Sequence, residues 1–188
     1  ANKPTQIWTQ GETEASSCWF PTIDGTNQKM TQQIAITIDK KYKTLSNGLM
    51  ISSNDNADGT RTDVWKQSLP HVPYLAMMTI GDFVVTKDFW TKKDGSIMEV
   101  NYYLEAEYAP HAKAIFGKTP KMLSYFSELL DVEYPWEKYH QVIVRDYVSG
   151  AMENTTAVIH GEFFHQTTRE VIDGSNKSTV AHELFHHW

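Results

Sequence analysis

The sequence lacks the features that mark several large classes of protein. Cys18 is the one cysteine among 188 residues, which excludes an internal disulfide but leaves the cellular compartment open. No uninterrupted apolar run approaches the roughly 18 residues of a membrane-spanning helix, so no membrane span is expected. Neither a low-complexity segment nor an internal repeat is present. The formal net charge of −6 argues against a nucleic-acid-binding module, because phosphate binding needs a basic face.

The remaining composition is that of a globular protein. Hydrophobic residues make up 40% of the chain and charged residues 21%, which is enough to bury a core. A domain usually contains roughly 100–200 residues, so this length predicts one domain or two small ones. The composition itself indicates neither a compartment nor an oligomeric state.

The first half of the sequence is typical of β-strands. Residues 30–39 alternate isoleucine with mostly polar side chains, which predicts a strand with one buried face. Residues 49–51 and 60–68 flank a polar turn and are expected to form a hairpin, and Asp94-Gly95 predicts a second hairpin turn. Cys18 lies beside Trp19 and Phe20, and we expect its thiol to be buried.

The second half has the mixed pattern of helices and strands. Helical spacing of apolar residues begins near His111, and Thr119-Pro120 is expected to begin the main helix, because proline suits the first helical turn. Residues 141–144, 150–154 and 157–160 read as extended, and residues 178–188 as a helix capped by Ser175 or Ser178. Strands followed by mixed elements predict an α+β chain of two units, 1–90 and 91–188.

The last helix carries the motif H-E-x-x-H, formed by His182, Glu183 and His186. Histidines four residues apart lie on one face of a helix, so both imidazoles can reach one Zn²⁺ ion. Glu183 would stand beside the ion as the general base that activates water. Chance matches to this pattern are expected only about 0.02 times in a chain of this composition. The motif therefore predicts a zinc-dependent hydrolase.

A second motif precedes the first by about thirty residues. It reads Gly150-Ala151-Met152-Glu153-Asn154, and it indicates little when taken alone. Together with an H-E-x-x-H motif that extends to Trp188, it resembles the zinc aminopeptidases of the aminopeptidase N type. This gluzincin family also includes leukotriene A4 hydrolase. Residues 9–12, 19–24 and 73–83 are similar to stretches of the family's N-terminal β domain, so the resemblance spans nearly the whole chain.

The resemblance implies both a fold and a set of roles. The fold is the C-terminal part of an all-β, saddle-like or sandwich-like domain, followed by the first half of a thermolysin-like catalytic domain. The substrates are peptides with a free N-terminus, because carboxylates near zinc pair with an α-ammonium and leave an internal amide unpaired. Glu153 and Glu12 are implied as these carboxylates, and Gln10 as part of the first side-chain pocket. Gly150, Ala151, Met152 and Asn154 complete the implied substrate-binding set, with the first two pairing with the substrate backbone.

The family pattern also implies residues beyond this sequence. A catalytic zinc site takes three protein ligands, and the family's third ligand is a glutamate roughly 18 residues after the second histidine. Its transition-state tyrosine lies further downstream. We therefore interpret the chain as a fragment that binds zinc weakly and has no activity when isolated.

Some histidines and some functions remain as alternatives. His160, His165 and His187 fit no ligand pattern, and packing or surface hydrogen bonding is the favoured interpretation of each. Epoxide opening of the leukotriene A4 hydrolase type, and non-catalytic peptide binding on the same fold, are the alternative functions.

Overall fold

The computed structural model describes residues 3–188. Within them the strands are β1 (Ile7–Trp8), β2 (Met30–Asp39), β3 (Lys43–Ser46), β4 (Leu49–Asp55), β5 (Thr60–His71), β6 (Met78–Gly81), β7 (Val84–Thr86), β8 (Phe89–Thr91), β9 (Ile97–Glu99), β10 (Tyr102–Leu104), β11 (His140–Ile143), β12 (Ala151–Met152) and β13 (Ala157–His160). The α-helices are α1 (Ala112–Phe116), α2 (Thr119–Leu129), α3 (Thr168–Asp173) and α4 (Lys177–Phe185). Short 3₁₀ turns occupy Ser16–Cys18, Pro73–Leu75, Ala109–His111 and Glu162–Phe164. This mixture confirms the predicted α+β class.

The first compact unit ends at Asp82 and consists of strands. Two antiparallel sheets form it, with strand orders β1-β6-β3 and β2-β5-β4. The alternation predicted for residues 30–39 is confirmed, because Ile36 is buried while its neighbours Ala35 and Thr37 are exposed. The predicted hairpin is confirmed as well, since β4 pairs with β5.

A buried carboxylate joins the two sheets of this first unit. Asp63 on β5 has no exposed surface, and its oxygens accept hydrogen bonds from Thr44 (2.7 Å), Ser53 (2.6 Å) and Arg61 (2.8 Å from both Nε and Nη2). Because a buried charge is costly unless it is paired, these donors are what make the position tolerable.

The second unit, Phe83–Trp188, contains a mixed five-stranded sheet with the order β12-β13-β11-β10-β7. Its three central strands run parallel, and the two edge strands run antiparallel to their neighbours. Helices α1, α2 and α4 bury their apolar faces in the core of this unit, where Phe116, Leu123 and Leu184 have at most 1% exposure. The two-stranded ribbon β8-β9 contains the predicted turn at Asp94-Gly95.

Two local predictions are wrong. Cys18 is exposed rather than buried, because Ser16 takes the inward position of its 3₁₀ turn and donates a hydrogen bond to the carbonyl of Pro73 at 2.8 Å. The N-cap of α4 is Asn176 rather than Ser175 or Ser178. The Asn176 side chain donates to the carbonyl of Phe163 and to Gln166, so it joins two segments instead of capping the helix.

Two findings concern the whole described chain. The contacts divide it after Asp82, and the domain assignment 1–90 and 91–188 stays a prediction. None of the helices within residues 3–188 has the length and the apolar character needed to cross a membrane.

Candidate metal and substrate site

Helix α4 presents both histidines of the H-E-x-x-H motif on its outer side. Val180 and Leu184 lie four residues apart and are buried in the core, so they fix the rotation of the helix. His182 and His186 are exposed, and their Nε2 atoms are 3.1 Å apart. The ring centroids are separated by 4.8 Å with an interplanar angle of 79°.

This geometry fits two ligands of one zinc ion. Zn–N bonds of about 2.0–2.1 Å in a tetrahedral arrangement place two ligand nitrogens about 3.3 Å apart. The observed separation of the two Nε2 atoms, 3.1 Å, is close to that value. Both atoms also lie on an exposed face, where an ion could enter. The separation of these two atoms is thus compatible with both side chains binding one cation.

Two carboxylates lie next to His186, one member of this pair. One ligand atom each from Glu153, Glu183 and His186 falls within a cluster whose atoms are all within 4.8 Å of one another. Glu183 is 6% exposed and Glu153 is half-buried. Two carboxylates this close to one imidazole produce a negative potential, which favours a bound cation.

The edge strand β12 positions Glu153. Ala151 pairs with His160 and Met152 with Ile159 on β13, and the buried Met152 side chain anchors the strand. Glu153 follows directly after β12, and this strand is in contact with α4. Within residues 3–188, β12 has a strand partner on one side only. The other side is thus available for pairing with a peptide backbone.

Contacts within the second unit do not require glycine at position 150. A Cβ atom built at this position would lie 3.8 Å from the Phe163 ring, which is an ordinary van der Waals distance. Glycine at this position would also allow the backbone of another chain to approach closely.

His187 lies next to the candidate site, and its contacts there could not be predicted from the sequence. It is 5% exposed and packs against Tyr134 and Tyr139, with ring centroids 5.9 and 5.1 Å away. Nδ1 donates to the Glu183 carbonyl (3.0 Å), and Nε2 accepts from the Thr156 N–H (3.3 Å). Burial lowers the pKa of His187 to about 4, although hydrogen bonding to the backbone at Glu183 and Asn154 opposes that change. The imidazole is therefore neutral, with its proton on Nδ1.

The other two histidines that were set aside are packing residues. His160 has no exposed surface, and its Nε2 atom is 3.0 Å from the side-chain oxygen of Gln141. The His165 ring stacks on Tyr108 with centroids 4.5 Å apart. Neither belongs to the cluster around Glu153.

Gln10 and Glu12 lie in the first unit. Gln10 is half-buried just after β1, and Glu12 is exposed in the turn that follows. The other proposed site residues belong to the second unit, so the predicted roles of Gln10 and Glu12 stay predictions.

Comparisons with known protein families match both parts of the chain. Residues 1–75 match the family model described as the Peptidase M1 N-terminal domain, and residues 115–188 match the Peptidase family M1 domain. Together the two models cover most of the chain.

Individual relatives agree with these matches. Aminopeptidase N of Streptomyces lividans is 27% identical over 188 residues, which is 97% of this chain and 21% of the relative. Glutamyl aminopeptidase of Sus scrofa is 28% identical over 178 residues, 90% of this chain and 18% of the relative. The chain thus spans about a fifth of the length of these curated relatives.

A solved structure shows the same fold. Aminopeptidase A of Legionella pneumophila, crystallised in complex with aspartic acid, superimposes with a TM-score of 0.82 at 20% identity. The match covers 97% of this chain and 22% of that one. With both domain models matched and the fold shared, the chain belongs to peptidase family M1.

Proposed function

We propose that this chain carries the catalytic motif of a zinc-dependent aminopeptidase that removes single residues from the N-termini of peptides. The observation that carries the proposal is the cluster of Glu153, Glu183 and His186 beside the paired Nε2 atoms of His182 and His186. Members of the family are metallopeptidases, and the donor set here suits zinc because imidazole nitrogen is one of its preferred ligands.

His182 and His186 would hold the ion, together with a third protein ligand that the family resemblance predicts. Zinc, when bound, polarises the carbonyl of the scissile peptide and makes a nearby water more acidic. The rigid inner face of α4 keeps the two imidazoles at a fixed separation. Little rearrangement is then needed when the ion enters.

Glu183 acts as the general base. Its carboxylate accepts the proton of the attacking water and later passes that proton to the amine that leaves. Its position between the two histidines in the chain places it on the same helix as the ligands. Low exposure limits competition from bulk water for this proton.

Glu153 selects the free N-terminus. A carboxylate oxygen at this place forms charge-assisted hydrogen bonds with an α-ammonium group, whereas an internal amide has no charge to offer. The side of β12 that has no strand neighbour within residues 3–188, together with the preceding Gly150, aligns the substrate backbone as an added strand. Glu153 therefore sets how far the first peptide bond lies from α4, and that distance defines release of one residue.

The described geometry offers no support for the alternatives. The relatives named above are aminopeptidases, and no contact within residues 3–188 favours opening of an epoxide. A protein that had become a non-catalytic peptide-binding module would not need an intact H-E-x-x-H motif, and here the motif lies on a well-packed helix.

Replacing the general base tests the proposal. In the intact protein, expressed at the full length of its gene, Glu183→Gln should lower kcat for an aminoacyl-p-nitroanilide by about 10²–10⁴-fold. Zinc content by metal analysis should stay near that of the wild type. The exposed carboxylate Glu128 provides the matched control, and Glu128→Gln should leave kcat unchanged. Full activity in Glu183→Gln would refute the mechanism.

A further inference from the structure

The turn after Glu153 contains a residue with a strained backbone. The Ala157 N–H donates to the Asn154 carbonyl at 3.0 Å, which closes a β-turn over residues 154–157. Thr156, the third residue of this turn, has φ +66°. That region suits glycine or asparagine, and a β-branched residue is strained there. Such a conformation persists only when neighbouring groups hold it in place.

Two histidines hold the backbone of Thr156. Its carbonyl accepts from the His140 N–H on β11 at 2.9 Å, and its N–H donates to Nε2 of His187 at 3.3 Å. Thr156 is 1% exposed, so water cannot replace a lost partner at low cost. The sheet holds one side of this residue, and the segment just after α4 holds the other.

His187 is fixed at its other nitrogen by the catalytic helix. The Glu183 carbonyl lies in the last turn of α4, where carbonyls lack helical partners. The His187 N–H bonds to the Leu184 carbonyl at 3.1 Å, which leaves the Glu183 carbonyl to the imidazole Nδ1 at 3.0 Å. One neutral ring thus connects the backbone of Glu183 to the turn that begins one residue after Glu153.

The surroundings of His187 make this connection rigid. Besides the two tyrosine rings against it, Trp136 Nε1 donates to the His187 carbonyl at 3.0 Å. The ring packs between the two tyrosines while Trp136 holds the backbone of the same residue, so we expect a displacement of α4 to move the hydrogen bond to Thr156. A displacement of about 1 Å at such a place can cost on the order of 10²-fold in rate.

We propose that His187 is a positioning residue that sets the distance between Glu153 and the helix bearing His182, Glu183 and His186. The inference rests on the proposed function, because it assigns to this distance the choice of a substrate with a free N-terminus. His187 itself touches neither substrate nor metal. It acts through the turn that carries Glu153.

The kinetic test compares three variants of the intact protein. His187→Phe keeps the ring but removes the acceptor for Thr156, and should raise KM for an aminoacyl-p-nitroanilide on the order of tenfold, with a smaller effect on kcat. His187→Gln retains an acceptor near the Nε2 position and should restore KM to within about threefold of the wild type. His165→Phe, the matched control, makes the same substitution at a histidine that stacks on Tyr108 and lies outside the cluster around Glu153, and it should leave KM unchanged. Equal KM values in the Phe and Gln variants would overturn the proposal.

A second readout needs no turnover. Amide hydrogen exchange at Thr156 should be slow in the wild type and in His187→Gln, and at least about tenfold faster in His187→Phe. If the Phe variant does not fold, His187→Asn takes its place, since its shorter side chain reaches the Glu183 carbonyl but not Thr156. Unchanged exchange in these variants would overturn the inference. A wild type without aminopeptidase activity but with the expected exchange pattern would instead refute the proposed function alone.

Discussion

Two buried carboxylates show how single residues divide between catalysis and stability. Glu183 lies in the cluster with His186, where the proposed mechanism needs it as a proton acceptor. Asp63 is surrounded by donors in the first unit. Burial raises the pKa of Asp63, but the hydrogen bonds from Arg61, Ser53 and Thr44 outweigh that effect and leave the pKa below its ordinary value.

Removing Asp63 should destabilise the first unit strongly. Asp63→Ala leaves Arg61 without its carboxylate partner, although the carbonyls of Lys40 and Tyr42 still accept from its guanidinium. We expect a loss of about 3–5 kcal/mol in the free energy of unfolding. Because the folded pKa is lowered, the contribution of Asp63 is present above the unfolded pKa of about 4 and is lost as the pH falls through the folded pKa. Urea unfolding measures the change. The exposed Asp39→Ala is the control, and an equal loss in both variants would contradict this account.

The arrangement of individual site residues could be predicted where it depends on residues that are close together in the sequence. The motif of His182, Glu183 and His186 predicted the paired imidazoles, because four residues of helix fix their geometry. The hydrogen bond between Thr156 and His187 was not predictable, since 31 residues separate the partners. The positive φ of Thr156 was equally hidden, because threonine has no preference for that conformation and only tertiary contacts impose it.

At the scale of elements, one face of helix α4 is buried in the core and the opposite face carries the two histidines of the motif. Val180 and Leu184 hold it in the core, while His182 and His186 face outward. The strand β12 meets this helix within the second unit. The candidate site is therefore built from one helix and the edge strand that contacts it.

The inner face of α4 should dominate its stability. Leu184→Ala removes a side chain with no exposed surface and should cost about 2–5 kcal/mol. The neighbouring Phe185 is 48% exposed, and Phe185→Ala should cost less than about 1.5 kcal/mol because much of that ring is already in water. Chemical denaturation of both variants provides the measurement. The reverse order of the two losses would contradict the packing described here.

The type of each helix or strand was predicted better than the residues at which it begins and ends. The strand at residues 30–39 and the helix start at Thr119 were predicted correctly, because alternation and proline placement are strong local signals. The end of α4 was not, since the helix stops at Phe185 and His187 turns inward instead. Its cap was missed because Asn176 bonds to the distant segment around Phe163 and Gln166.

At the scale of the whole molecule, buried histidines contribute to the loss of stability in acid. Burial lowers the pKa of His140 to about 4, with Lys138 adding to the effect and Glu99 opposing it. Burial lowers the pKa of His160 to about 3. Both histidines lie in the second unit, and the unfolded chain binds protons more tightly than the folded one at each.

The second unit should therefore lose stability as the pH falls. The stabilisation is complete above the unfolded histidine pKa of about 6.5 and decreases as the pH falls from there toward 4. Each histidine contributes a slope of about 1.4 kcal/mol per pH unit in this window. Urea unfolding followed in this unit at several pH values measures it. His160→Gln should reduce the slope by one histidine's share, and an unchanged slope would contradict the buried, neutral state of His160.

The central claim is that Glu153 and helix α4 form a site that demands a free α-amino group. The most direct measurement is kcat/KM for an aminoacyl-p-nitroanilide and for its N-acetylated form, in the intact protein and in its Glu153→Gln variant. The account predicts that the wild type prefers the free amine by at least about 10²-fold and that the variant loses most of this preference. Equal cleavage of both substrates by the wild type would contradict it.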